Sequence, residues 1–513
     1  MSMIRDMTVI GSEAPVGERC ARHPPRSVPA RALAWRNWVE QRAAGLCPRG
    51  PTFTTRRLLL ISYQFPPTGG SGVQRPAKLV KYLPSFGWQV EVLAAGHQRF
   101  PWHDPSLLEG IPSTGRIHRV AGLEPACLAR RIASTARAVI GEDRARWLED
   151  RVYWRLVRWT ARVGRGNGEE FWVPAVVRAA LGLHRRRPFD AVLSTGPPHF
   201  AHRAALRFQA AAGVPWLADL RDPLVSDFSR TPTGAVERAR MRGLERAVLA
   251  RASLVLTTCP ALADDLRRRY PARAADEIRA ITNGFDHDDL RAMLRDDSDV
   301  PAASHGHGSH IESRSRRSEG PPSECLFVAA GALYGRREID KLVEPLGRVL
   351  ARHPEWSGRV RLILAGSIDA RQGQRWRQDR PDWLMLAGYL DHAAALRLCA
   401  SAACAIVMVP DCRHGRLSIP GKTFELIALP THVLALAPDG SDTADVVRRA
   451  GASTIVPLES PARVAEAMER IIAGHFTGRL DRERDWPQLE RYSRLAVAER
   501  FAEALDHVFR SRP

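Results

Sequence analysis

RRLLLISYQFPPTGGSGVQRPAKLVKYLPSFGWQVEVL, residues 56–93, decides the fold. Leu58 to Ser62 is an apolar run of strand length without alternation, which is how a strand buried on both faces reads. A Pro/Gly loop follows (Pro66, Pro67, Gly69, Gly70, Gly72), then a helical pattern from about Val73 to Phe86 and a second apolar run at Gln89 to Leu93. Strand, loop, helix and strand in that order open a parallel, doubly wound α/β domain. Glycines before a helix let backbone N–H groups approach an anion, although a tight strand-to-helix turn needs them too. A dinucleotide site would show G-x-G-x-x-G and an acidic residue closing the second strand. This strand ends in Leu93, Ala94 and Ala95, which argues against NAD.

Further along, strand patterns recur at Ala191 to Ser194, Trp216 to Asp219 and Leu254 to Thr258. Between them, residues 124–165 read as Arg-rich helices. Trp147, Leu148, Val152, Leu156 and Trp159 fall at helical spacing, with Arg151, Arg155 and Arg158 among them. Such a stripe packs against the sheet or lies at a membrane surface. Residues 296–324 turn to Ser, His, Gly, Pro and Arg, a low-complexity linker. A second α/β series follows over 325–485, and 486–513 closes the chain as a helix expected to cross back. Two parallel-sheet halves, 56–295 and 325–485, imply a cleft between them where such folds bind ligands.

Residues 1–55, rich in Arg, Pro and Ala, show no sustained periodicity. They read as a disordered basic tail, or as residues upstream of the true start, and are expected to add little stability. The 513 residues carry a formal charge of +20, but only four of the 76 basic residues are lysines: Lys78, Lys81, Lys341 and Lys422. Arginines spread along the chain without a basic, aromatic-studded stripe argue against nucleic acid and leave anionic small molecules or an anionic membrane surface. Eight cysteines without CxxC spacing read as free thiols in a reducing compartment. No apolar run reaches the ~18–20 residues of a membrane span, and no signal-peptide core is present, so a cytoplasmic location is expected, with peripheral contact to the inner membrane face allowed.

Taken together, the opening stretch, "DAVLSTGPPH" (190–199), "PWLADLRDP" (215–223), "ITNGFD" (281–286) and "IPGKTFELIA" (419–428) resemble bacterial family-4-type glycosyltransferases of GT-B fold. The resemblance is to the branch of cell-surface polysaccharide biosynthesis. It implies two Rossmann-like domains facing a cleft and a sugar moved from a nucleotide-sugar donor to a hydroxyl of a glycan or lipid-linked acceptor. Retention of anomeric configuration is expected by family, and no metal or other cofactor is.

Departure of a nucleotide diphosphate develops negative charge, which cations stabilise. The resemblance implies that Lys422, with Arg336 or Arg337, grips the diphosphate and that Glu425 accepts from the ribose hydroxyls. Lys422 and Glu425 lie three apart, on one face of any helix starting there. A lysine retained where arginine is the rule suggests that its compact ammonium matters. Gly69, Gly70, Gly331, Tyr389 and Leu390 are expected on the donor side, Arg75, His199 and Asp219 on the acceptor side, and Arg221 and Asp222 among the catalytic groups. The bland reading of Asp219, Arg221 and Asp222 is an ion pair that fixes a loop, and of the others, solvated charges and turn residues.

One position departs from the family. The second glutamate expected eight residues before Glu425 is Leu417, so the sugar contact would pass to Arg413, His414, Arg416, Ser418 or backbone. Leu417 motivates a rival reading as a non-catalytic sugar-binding scaffold; a nucleotide-sugar epimerase is a second. Asp297-x-Asp299 and His305, His307 and His310 mimic metal motifs but lie in the linker, where composition explains them.

Overall fold

The first apolar run forms strand β1 (Arg56–Ile61), paired in parallel with β2 (Trp88–Ala95) on one side and β4 (Ala191–Gly196) on the other. The structure is a computed structural model that describes residues 30–44, 56–97, 99, 103–108, 110–111, 116–163, 166–225, 234–295 and 324–511. With β3 (Arg116–Val120), β5 (Trp216–Leu220), β6 (Leu254–Thr257) and β7 (Ile278–Ala280), the first sheet runs β3-β2-β1-β4-β5-β6-β7, all parallel. The second sheet is built alike. It contains β8 (Cys325–Ala330), β9 (Val360–Ala365), β10 (Leu384–Gly388), β11 (Cys404–Met408), β12 (His432–Leu436) and β13 (Ser453–Val456), in the order β10-β9-β8-β11-β12-β13. Each order reverses at its first strand, between β1 and β4 and between β8 and β11. Ligands of open parallel sheets lie outside the strand C-termini at such points.

The sheets are covered on both faces, which explains the unbroken apolar runs. Alternate residues of β1 divide between two cores: Leu59 and Ile61 join Trp172, Phe208 and Trp216, whereas Leu58 and Leu60 face the last helix, Arg494–Arg510. That helix does cross back. Val497, Phe501 and Leu505 pack on the first domain beside helix Ser71–Tyr82, and Asp506 accepts from the Trp88 indole at 2.9 Å. Ser493 caps it by accepting from Ala496 N, after a short helix (Trp486–Leu489) and a 3-10 turn that break the expected continuous element.

Two expectations need correction. Residues 30–44 are not without order: Ala30–Ala44 is a helix whose Trp35, Trp38 and Val39 are buried. The Trp35 indole donates to Ala428 O at 2.9 Å, and Trp38 packs against Phe285, His287 and Trp486. The Arg-rich segment is a pair of helices, Pro125–Ile140 and Glu142–Arg162, and its stripe packs on neither the sheet nor itself as a whole. Ala145, Tyr153, Val157 and Thr160 turn inward, while Trp147 and Trp159 stand exposed. The linker motifs at Asp297, Asp299 and the three histidines lie outside the described residues. Among those described, no helix is long and apolar enough to cross a membrane, and no group of His, Cys, Asp and Glu could hold a metal ion. Cys127, Cys259, Cys325, Cys399 and Cys404 are free, buried thiols.

Candidate active site

A cleft of about 1570 Å³ runs between the two sheets, lined by loops that leave the strand C-termini. That exceeds the roughly 300–1000 Å³ of a small-molecule pocket, leaving room for two substrates side by side. From the first domain come Gly70, Gly72, His199 and Asp222; from the second come Gly331, Arg337, Gly366, Tyr389, Leu390, Lys422 and Glu425.

On the second-domain side, Lys422 opens the helix Lys422–Ile427 and donates to Ala330 O at the end of β8. Withdrawal from bulk water, with the neighbouring Arg337 charge second, pushes its ammonium down to about 7. Arg337 donates through Nε to Met408 O at 3.1 Å, at the end of β11. Two cations therefore meet at the β8/β11 switch point. Gly331 leaves the space above them: at φ +112° its backbone favours glycine, and a Cβ would come within 3.2 Å of Lys422 Nζ. Gly366, at φ +134°, lies so close that a Cβ would stand 2.1 Å from Gly331 O. Gly331 N donates to Ala365 O, so this glycine supplies room and not a donor.

Glu425 lies one turn after Lys422, as its spacing requires, with one oxygen 3.7 Å from His392 Nε2. His392 also reaches Asp289 of the first domain at 3.4 Å. Burial works against its charge, but Glu425 and Asp289 outweigh it and hold the imidazolium up to about 9. Opposite, His199 is driven down to about 3 by burial and by His202, so it faces the cleft as a neutral ring whose Nδ1 has no hydrogen-bond partner. Asp222 lies within electrostatic reach of His199, Arg221 and, across the cleft, Arg337.

Several expected site residues are engaged in holding the fold, two of them, Arg75 and Arg221, from the cleft wall itself. Asp219 is fully buried: Arg75 grips it through Nη2 at 2.9 Å and Nε at 3.0 Å, and the Thr195 hydroxyl donates to it at 2.7 Å. Arg75 also donates to Ile281 O and Thr282 O, each at 2.8 Å, so this pair ties helix Ser71–Tyr82 to β5 and to the loop after β7. Arg221 lines the cleft and donates to Gly72 O and Pro197 O, setting two cleft loops, while its buried Nε has no hydrogen-bond partner. Gly69 is buried in its turn and does not line the cleft; Gly70 does. Arg336 is exposed and off the cleft wall, which leaves Arg337 as the arginine of the pair. At the family departure, Leu417 is buried away from the cleft, its carbonyl accepting from Cys259 Sγ. His414 and Ser418 line the cleft; Arg413 is engaged by Asp265 and Arg416 by Asp411.

Residues 69–284 match the family model of the glycosyl transferase 4-like domain. The first domain is a glycosyl transferase 4-like domain. With its second parallel-sheet domain, the chain has the two-domain GT-B architecture, and solved structures agree on the fold. Sucrose-phosphate synthase from Thermosynechococcus elongatus aligns over 89% of this chain and 100% of its own, at 17% identity and a TM-score of 0.55. Anabaena HepE, in complex with UDP and glucose, aligns over 88% and 100%, at 12% identity and 0.56. An α,α-trehalose-phosphate synthase (UDP-forming) from Burkholderia vietnamiensis aligns over 89% and 100%, at 13% and 0.56. No curated protein matches the sequence.

Among the cleft residues that sequence reasoning missed are His392, Asn283 and Arg494. Asn283 sits in the "ITNGFD" stretch and only its side chain was unread; its amide oxygen faces Arg494 at 3.5 Å. Nothing local marks His392 or Arg494, because their partners, Glu425 and Asp289 for the first and Asn283 for the second, lie many helical turns away in sequence.

Proposed function

We propose that this glycosyltransferase moves a sugar from a nucleotide-diphosphate donor to a hydroxyl of a glycan or lipid-linked acceptor, with retention at the anomeric carbon. The observation that carries the reading is the pairing of Lys422 and Arg337 beneath the side-chain-free space at Gly331. Two cations, one already short of water, suit a group that becomes more negative as its bond to C1 of the sugar breaks. Glu425, one turn away, is placed to accept from the ribose, and Tyr389 and Leu390 to flank the base. The complexes of HepE with UDP and UDP-glucose support a uridine-diphosphate sugar as the donor class.

Retention requires the acceptor oxygen to reach C1 from the face that the diphosphate leaves. The departing phosphate oxygen is then the nearest base, and it takes the acceptor's proton as the new C–O bond forms. His199, neutral, and Asp222 are placed to orient the sugar and acceptor from the first domain. Surface-polysaccharide assembly in a bacterial cytoplasm is the setting we infer.

A thermal-shift panel of nucleotide sugars, followed by incorporation of labelled sugar into acceptor, tests this. A raised Tm with one donor and label in the acceptor fraction supports it. Donor binding with neither hydrolysis nor transfer favours a scaffold, in line with the buried Leu417. A putative UDP-N-acetylglucosamine 2-epimerase from Listeria monocytogenes also shares the fold, at 11% identity and a TM-score of 0.50. Conversion of the donor to its epimer without transfer would favour that activity.

A further inference from the structure

Six of the eight large hydrophobic side chains exposed among the described residues belong to one stretch: Leu123, Ile132, Val139, Trp147, Trp159 and Val163. Val139 is 86% exposed, Trp147 59% and Trp159 55%, so these are full side chains left in water and not edges of a core. Scattered single exposures are ordinary; a concentration on one helix pair marks an interaction surface.

The pair is two-faced. Its inner face is a small core of Ala126, Ala129, Tyr153 and Val157, and Tyr153 and Trp154 go on to line the cleft. The outer face of helix Glu142–Arg162 reads Trp147, Arg151, Arg155, Arg158, Trp159 and Arg162, spaced to share one side. The Arg151 guanidinium lies 5.0 Å from the Trp147 ring centroid. Residues 123–163 carry nine arginines against five acidic residues. Tryptophan favours the boundary between headgroups and acyl chains, and basic side chains are drawn to anionic headgroups. A protein partner would need a matching apolar and acidic face; an anionic bilayer supplies both over any area.

We propose that the helix pair Pro125–Ile140 and Glu142–Arg162 is a docking surface for an anionic lipid bilayer. Docked there, the bilayer lies against the same helix that lends Tyr153 and Trp154 to the cleft wall. This surface does not depend on the activity proposed above, although it would suit a lipid-linked acceptor.

Co-sedimentation of the full chain with vesicles of phosphatidylcholine and phosphatidylglycerol, against phosphatidylcholine alone, tests the proposal. The wild type pellets with the anionic vesicles at low salt and is released as salt rises. R151Q/R155Q/R158Q loses affinity by roughly fivefold per arginine, on the order of a hundredfold together. W147S/W159S weakens binding and leaves the remainder wholly releasable by salt. Both variants change only exposed side chains, so they keep the wild-type Tm and transfer to a water-soluble acceptor. The proposal is overturned if the wild type ignores anionic vesicles at low salt, or if the triple variant binds as the wild type does. It is also overturned if the tryptophan pair proves to hold two copies of the chain together while vesicles are ignored. Vesicle binding in a preparation that transfers no sugar leaves docking standing and counts against the proposed activity alone.

Discussion

Lys422 sits where water is scarce and a second cation is close, and both conditions shape how it meets an anion. Its ammonium is pushed down to about 7, so at neutral pH it is poised between forms. A diphosphate restores the proton. Above pH 7, donor binding should therefore take up close to one proton, and affinity for UDP-glucose should fall by up to about tenfold per pH unit. Titration calorimetry in buffers of different ionisation enthalpy reads the uptake; binding that stays flat from pH 6 to 9 would rule out this coupling. Lys422→Arg, whose guanidinium stays charged, should flatten the profile even if its size weakens binding. Lys422→Ala removes one preorganised charge and should cut kcat by roughly a hundred- to thousandfold, about 3–4 kcal/mol. Its Tm should hold, because no partner beyond Ala330 O is lost. Turnover within threefold of wild type would remove Lys422 from the chemistry.

Among the elements, the helix Ala30–Ala44 is the one whose role the chain conceals. Its apolar contribution is Trp35, Trp38 and Val39 within an Ala/Arg background, too few to raise a periodic signal. Its contacts lie far off in sequence, at Phe285, Ala428 and Trp486. Strands β1, β2, β4 and β5 were legible for the opposite reason: burial on both faces leaves continuous apolar runs that need no knowledge of partners. The site divides the same way. Lys422 and Glu425 share a helix face that spacing alone reveals, whereas the Arg75–Asp219 pair spans 144 positions and looks, in sequence, like two open charges. The small contribution to stability expected of residues 1–55 therefore does not hold for this helix. Trp35→Ala leaves a buried void and an unanswered carbonyl, at a cost of about 3–5 kcal/mol. Differential scanning calorimetry should show Tm lowered by more than about 5 °C; an unchanged Tm would mean that the helix contributes no packing.

At the scale of the whole molecule, the two domains meet through a chain of charges as well as through apolar contact. Lys78 pairs with Asp286 at 2.7 Å and Asp289 at 2.6 Å, Asp289 reaches His392 at 3.4 Å, and His392 reaches Glu425 at 3.7 Å. The last two are charge contacts and not short hydrogen bonds, yet burial leaves them lightly screened. His392 is thus held charged up to about 9 in the folded protein, against about 6.5 when unfolded. The folded state binds the extra proton, so the stabilisation is complete below pH 6.5 and is lost as pH rises through about 9. Its size is on the order of 3 kcal/mol. His392→Gln should lower Tm clearly at pH 6 and little at pH 9.5, read by thermal melts across that range. Since Glu425 is also the group proposed to take the ribose, the same substitution should alter affinity for UDP-glucose more than kcat. Equal destabilisation at both pH values would mean that His392 acts by packing, and that the two domains are not linked through its charge.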